Sequence, residues 1–231
     1  MNASSRGVLV AIGIIGLWLA SLAACLELGA RSIHPALLVV LVLARTFLTS
    51  GLFITAHDAM HRAVSKNRFV NDALGATASF LFAAMSYARL RRNHALHHGA
   101  PTEATDPDYS SAGYLGWLGR FLFRYATWYQ IGTMAVLYNV LHLRYDDASL
   151  WAFWAGPALL ASVQLFTFGT YLPHRPSHRG EDRGAHRARS QRRGHVLAML
   201  SCWFFGYHHE HHAAPGVPWY RLWREKERAT T

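Results

Sequence analysis

Cysteine is nearly missing from this chain: its 231 residues include two, Cys25 and Cys202, and neither belongs to a C-x-x-C pair. That excludes a disulfide framework and a thiolate zinc site, and leaves two packed thiols. Charge is scarce as well. Asp, Glu, Lys and Arg make up 16% of the residues, against about a quarter in a soluble domain. Acids are the scarcer sign, 13 against 23 Lys and Arg, for a formal net charge of +10. So basic a chain raises nucleic-acid binding, but no DNA- or RNA-binding motif accompanies the charge, and no nucleic-acid partner is expected. Internal repeats and low-complexity segments are lacking too.

What the chain has instead is apolar length. Hydrophobic residues make up 52%, and they fall in runs that approach the roughly 20 residues needed to cross a bilayer. The length suits a single domain, 1–231. The arginines flank the apolar runs, at 62–68, 89–92, 175–193 and 221–228. Basic residues beside membrane spans mark the cytoplasmic face. The predicted class is therefore all-α: an integral membrane bundle of four spans, 8–28, 35–56, 121–143 and 150–172. A helix over 69–87, weakened as a span by Gly75, Thr77 and Ser79, is expected to lie in the interface or dip partway. Leu22-Ala23-Ala24-Cys25 looks like a lipoprotein cleavage site, but a second apolar run follows it, so a retained span is predicted. A last helix is expected over 195–212, ended by Pro215 and Pro218, with Trp219, Tyr220 and Trp223 as an interfacial anchor. In this topology every histidine cluster emerges on the cytoplasmic side.

Those clusters carry the chemistry. The first, His57-Asp58-Ala59-Met60-His61, puts two imidazoles four residues apart on one helix face, about 6 Å apart along the axis. The second, His94-Ala95-Leu96-His97-His98, combines offsets of three and four. Its last two rings diverge by about 100°, so they can face different metals. The third, His208-His209-Glu210-His211-His212, repeats those offsets. The fourth is His174 alone, at the end of the last span. One H-x-x-x-H is weak evidence, whereas three clusters at membrane exits are strong. Zinc is satisfied by four ligands. The nine histidines His57, His61, His94, His97, His98, His174, His208, His211 and His212 therefore imply two metals, and imidazole suits iron.

Other groups stand near the clusters in sequence. Asp58, Asp106, Asp108 and Glu210 are candidates to hydrogen-bond the outer ring nitrogens of the ligands, with solvated or helix-capping acids as the alternative. His209 has the wrong offset for its neighbours, and His186 is open between ligand, outer partner and surface residue. His34, His142, His178 and His195 lack partners at ligand spacing and read as bystanders. Arg45 lies mid-span, where a charge costs about 2.5–3.5 kcal/mol on insertion scales, so it should face the bundle interior. Phe80, Phe82, Tyr87, Trp203, Phe204 and Phe205 read as packing or as the lining of a slot for a flat apolar substrate.

The cluster pattern resembles the membrane fatty-acid desaturase and hydroxylase superfamily. The flanking words narrow the resemblance to bacterial-type beta-carotene ketolases. They are Gly51-Leu52-Phe53-Ile54-Thr55-Ala56 before His57, Arg91-Arg92-Asn93 before His94, and Asp106-Pro107-Asp108. Phe168-Gly169-Thr170-Tyr171-Leu172-Pro173 before His174, Phe205-Gly206-Tyr207 before the last cluster, and Val217-Pro218-Trp219 complete the set. Two positions depart from that pattern: Arg62 stands where glycine is expected, and His186-Arg187-Ala188-Arg189-Ser190 has arginine in place of asparagine.

The resemblance implies a non-haem di-iron membrane oxygenase with a histidine-rich cytoplasmic cap, two iron ions cycling between Fe2+ and Fe3+, and dioxygen as co-substrate. It also implies a ferredoxin-like electron donor, a carotenoid substrate within the lipid bilayer, and a bacterial inner membrane. The implied reaction is two successive hydroxylations at carbon 4 of a beta-ionone ring, followed by loss of water from the geminal diol to leave a ketone. The expected products are echinenone and canthaxanthin, or astaxanthin from a hydroxylated ring. Two other readings use the same residues: a fatty-acyl desaturase or hydroxylase, and a non-enzymatic metal carrier. A carrier needs a polar path through the bilayer, whereas these clusters are all expected at one face.

Overall fold

A computed structural model of the chain describes residues 3–175, 186–192 and 194–229. Every regular element among them is helical. Helices α1 (Ala3–Leu28) and α2 (Pro35–Met60) each have 26 residues, a length of about 39 Å, longer than the ~30 Å hydrocarbon core of a bilayer. Pro35 opens α2, and His34 caps it by accepting from the Ala36 N–H at 3.3 Å. The turn between the two helices is pinned to a third long helix, where the Ala30 N–H donates to Ser149 Oγ at 2.9 Å.

That third helix, α7 (Asp147–His174), completes the set of three described helices long and apolar enough to cross a membrane. The expected spans 8–28, 35–56 and 150–172 fall inside these three. The expected span 121–143 does not form as one helix. It is divided into α5 (Tyr114–Tyr125) and α6 (Trp128–His142). At the joint Ala126 is extended (φ −67°, ψ 130°), and Thr127 caps the next helix by accepting from the Gln130 N–H at 3.2 Å. A hydroxyl beside the backbone offers that N–H an alternative to the preceding turn, which is how a threonine inside an apolar run ends a helix. The 15 residues of α6 extend about 22 Å, short of the core thickness. None of its residues is buried by protein.

Helices α3 (Arg68–Ala83) and α4 (Tyr87–Gly99) form a hairpin against the end of α2. Asn67 caps α3 through the Phe69 and Val70 N–H groups. Asn71 Nδ2 then donates to the Ala59 carbonyl at 2.8 Å, and eleven residues later the Phe82 ring reaches only as far back as Phe53, at 5.7 Å. So α3 retraces the last turns of α2, and α4 returns the chain to the His57 end. Gly75 permits the contact: a Cβ there would sit 2.8 Å from Ala59 Cβ and 2.5 Å from the Tyr87 ring.

Proline shapes α7. A proline removes its own N–H and frees the carbonyl four residues earlier. Pro157 thereby frees Phe153, inside a π-helical turn at Trp151–Ala155, and Arg45 Nε donates to that carbonyl at 3.0 Å. Arg45 Nη1 donates to the Trp18 carbonyl at 2.7 Å and to Ser21 Oγ at 2.6 Å. This arginine is 1% exposed; it faces the interior and clasps α1, α2 and α7 together. A second π-helical turn, Phe166–Tyr171, precedes Pro173 and aims His174.

The expected last helix over 195–212 is broken. Helix α8 (His195–Cys202) stops where Trp203 and Phe204 both take positive φ, 51° and 59°. Trp203 is anchored instead of helical: its Nε1 donates to the Phe47 carbonyl at 2.9 Å, and its ring stacks on Phe47 at 4.4 Å. That docking outweighs helix propensity. The chain restarts as α9 (His208–Ala213), turns at Trp219–Arg221, and ends in α10 (Leu222–Arg228).

Candidate metal centre

The ends of α2, α4 and α7 converge with α9 at one end of the bundle. They bring together two groups of four imidazoles. His57, His61, His94 and His211 form one, and His97, His174, His208 and His212 the other; within each group the candidate ligand atoms lie within 4.8 Å of one another. The groups are contiguous. His98 stands between them, with its Nε2 3.0 Å from His211 Nε2 and its ring stacked on His212 at 4.1 Å. Thus His94 and His97, one turn apart on α4, part between the groups, and residues 57–61 meet residues 208–212 at ring separations of 4.5 Å for His57–His211 and 4.8 Å for His61–His211.

The arrangement suits cations. His61 Nε2 faces His94 Nε2 at 2.7 Å, and His212 Nε2 faces His208 Nε2 at 3.1 Å. A neutral imidazole has one N–H and one lone pair, so with the proton on the outer nitrogen of each ring both facing lone pairs are free to converge on a cation. Among the described residues, buried His57 Nε2 has no hydrogen-bond partner. Burial, reinforced by neighbouring imidazoles, holds His94, His208 and His211 well below the ordinary histidine range. Burial pushes His61 down to about 4 and, with the repulsion that protonated neighbouring imidazoles would exert, His98 to about 2. Neutral imidazole is the form that binds metal.

Outer contacts orient several rings. His97 Nδ1 donates to the Asp106 carboxylate at 2.9 Å, and Asp106 also accepts from the Thr102 and Asp108 N–H groups, each at 2.8 Å. Burial alone would lower the His97 pKa, but the Asp106 bond and the charges of Asp108 and Asp106 outweigh it and raise it. His174 Nδ1 donates to the Arg187 carbonyl at 3.0 Å, a backbone contact that side-chain reasoning had no means to find. The other candidates sit elsewhere. Asp58 accepts from the Trp219 N–H at 3.0 Å and stays 3.9 Å from His57 Nδ1. Glu210 is engaged by Ser190 Oγ and by Lys226 at 3.2 Å. His209 donates to the Ala188 carbonyl at 3.2 Å and packs against His186, ring to ring at 5.6 Å, so both lie outside the two groups. His195 bonds the Tyr207 hydroxyl at 2.9 Å, His34 caps α2, and His142 lies on the exposed face beside Asp147. His178 lies outside the described residues.

The two departures from the ketolase pattern share a backbone conformation. Arg62 has φ 57° and Arg187 has φ 48°, the left-handed region that glycine and asparagine enter most easily.

Against the histidines lies a cavity of about 460 Å³. His57, His94, His97 and His208 form its inner end, and its walls are mainly apolar, from Phe53, Phe82, Leu90, Met134, Leu165 and Phe205. Of the six aromatics that read as packing or as slot lining, Phe82 and Phe205 line it. Phe205 packs so closely on α7 that a Cβ on Gly169 would lie 1.9 Å from its ring. The far end reaches Ile131 and Leu159, which are 62% and 57% exposed on the apolar outside of α6 and α7. The shape suits an apolar substrate entering sideways with its tip at the imidazoles.

Comparison with known proteins agrees with this geometry. The fatty acid desaturase family profile matches residues 33–151 and 131–229. The chain is 40% identical to a beta-carotene ketolase from a Paracoccus strain, over 95% of this chain and 91% of that protein. It is 41% identical to the ketolase of a second Paracoccus strain, over 91% and 88%. A zeaxanthin 4-ketolase of Chlamydomonas reinhardtii is 34% identical, over 90% of this chain and 48% of its own length. No solved structure matches significantly. With matches of this identity and coverage across the helices that carry the histidines, the chain belongs to the fatty acid desaturase family and, within it, to the beta-carotene ketolases.

Proposed function

We propose that the chain oxidises carbon 4 of a beta-ionone ring to a ketone, taking beta-carotene to echinenone and canthaxanthin and a hydroxylated ring toward astaxanthin. The observation that carries this reading is the placement of two four-histidine groups at the inner end of an apolar cavity whose far end opens on the bundle's apolar surface. His57, His61, His94 and His211 would hold one iron and His97, His174, His208 and His212 the other, with His98 available to either. When bound, the two irons supply the activation of dioxygen. The protein supplies position and dryness. Phe53, Phe82 and Phe205 hold the flat ring against the imidazoles, and the rest of the polyene extends past Ile131 and Leu159 toward lipid. Asp106 and the Arg187 carbonyl fix the Nε2 atoms of His97 and His174 toward the cluster by occupying their Nδ1 protons.

Each hydroxylation consumes one dioxygen, two electrons and two protons, and yields one hydroxyl and one water. The diol then loses water to leave the ketone. The electrons would come from a ferredoxin-like donor. The arginines flanking the spans support a cytoplasmic side for the histidine end, in a bacterial inner membrane. Expression in a beta-carotene-producing host tests the reading. A 4-keto carotenoid is the expected product, whereas unchanged carotene beside altered fatty acids would assign the same centre to an acyl chain.

A further inference from the structure

One polar feature of the cavity belongs to neither histidine group. Asp108 and Tyr125 line the wall beside His94 and His97, among apolar neighbours such as Leu90, Leu122 and Met134. The Tyr125 hydroxyl donates to Asp108 Oδ1. The two residues are positioned independently. Asp108 is held by its own backbone: its N–H donates to Asp106 Oδ1 and its carbonyl accepts from Trp117 Nε1, each at 2.8 Å. Tyr125 is the last residue of α5, placed by the break at Ala126. The Asp108 carboxylate lies within 4.8 Å of His97 and Asp106, so the pair stands at the reacting end of the cavity. Among the described residues Tyr125 is the side chain bonded to this carboxylate, through Oδ1, and Oδ2 keeps its lone pairs.

A carboxylate set in an apolar wall is costly unless it is hydrogen-bonded, and it gives no attraction to a hydrocarbon ring. Besides the charge that Asp108 presents to His97, its second oxygen suits a ligand that carries a hydroxyl. The reaction proposed above creates one. After the first oxygenation the ring is an alcohol, and it must be oxidised again at the same carbon before it leaves. We propose that Asp108, oriented by Tyr125, is the subsite for this half-oxidised ring, accepting its hydroxyl hydrogen bond and retaining the alcohol for the second oxygenation. The inference rests on the ketolase reading and adds to it a group that sets whether the product is an alcohol or a ketone.

The test uses Asp108→Leu, which keeps an apolar wall and removes the acceptor, and Tyr125→Phe, which removes the orienting hydroxyl and serves also if the first variant folds poorly. In a beta-carotene-producing host the wild-type chain should accumulate ketone. Each variant should raise the 4-hydroxy share from a trace toward half or more of the oxidised rings, with unchanged iron content in the purified protein. Absorbance titration of that protein should show binding of a 4-hydroxy carotenoid weakened about tenfold, as loss of a hydrogen bond to a charged group predicts, with beta-carotene binding unaltered. Variants that lower total conversion while the product stays entirely ketone would overturn the subsite. So would an effect confined to rings already hydroxylated at carbon 3, which would assign the pair to the incoming substrate. A wild-type chain that makes no ketone would remove the ketolase reading, and this subsite with it.

Discussion

His97 donates its outer nitrogen to Asp106 at 2.9 Å, and this single contact turns the His97 Nε2 toward His174, His208 and His212. A carboxylate on the outer nitrogen of a metal-binding imidazole fixes its tautomer and raises its basicity, and its loss costs about 10–100-fold in metal affinity. Asp106→Asn should therefore weaken binding at the second group by about that factor and leave the first group loaded. Metal titration of the purified variant, showing one tight and one weakened site, checks this.

The histidines divide by consequence. His97→Ala or His211→Ala removes one imidazole from a four-imidazole group and should abolish keto product. His195→Ala breaks the bond to the Tyr207 hydroxyl and an exposed contact with Glu227 at 3.3 Å, the first of which costs about 1 kcal/mol of stability, and product should persist. Pigment extraction from the host reads both; full activity of the His211 variant would remove the assignment.

Arg62 and Arg187 are strained where glycine and asparagine are expected. A left-handed non-glycine residue costs about 1–2 kcal/mol, and glycine returns about 0.5–1 kcal/mol of that as unfolded-state entropy. Arg62→Gly should therefore raise the melting temperature slightly or leave it level, with product unchanged. A clear drop in melting temperature would show that the guanidinium does more than tolerate its backbone.

Arg45→Leu should be strongly destabilising. It leaves the Trp18 and Phe153 carbonyls without their donor in a buried setting, at about 1–3 kcal/mol for each unsatisfied group. Thermal unfolding in detergent should show the loss, and the surviving folded fraction should keep its iron.

Acid should loosen the metal-free protein. An unfolded histidine takes up a proton near its ordinary pKa of about 6.5, but folded His61 resists until about 4 and His98 until about 2. Between those values the unfolded state binds more protons, so stability falls as pH drops below the ordinary value. His97 and Asp108, both shifted upward, oppose this, but His61, His94, His98, His208, His211 and His212 are shifted the other way. Melting of metal-stripped protein should decline from about pH 7 toward pH 5; a rise toward pH 5 would contradict it.

The histidine spacing was legible because ligand geometry on a helix is local: offsets of three and four place the rings whatever the surroundings. His174 was legible because Pro173 marks the end of a long apolar run. The joint at Ala126–Thr127 was hidden in that same kind of run, since Thr127 acts through one hydroxyl contact that apolar periodicity does not register. The break at Trp203 depends on Phe47, far away in sequence, so no local pattern announces it. Asp108 was visible as a candidate outer partner, but its pairing with Tyr125 and its place on the cavity wall arise only when the loop after α4 packs against α5. The left-handed backbone at Arg62 and Arg187 was foreshadowed only by the residues that stand there in the family pattern.

The central claim is that the imidazoles gathered from α2, α4, α7 and α9 hold a pair of irons. Elemental analysis of the purified wild-type protein, alongside His57→Ala and His208→Ala, tests it most directly. The account predicts two iron atoms per wild-type chain and a loss of about half in each single variant, from opposite members of the pair. One zinc per chain without iron, or two irons that survive both substitutions, would contradict it.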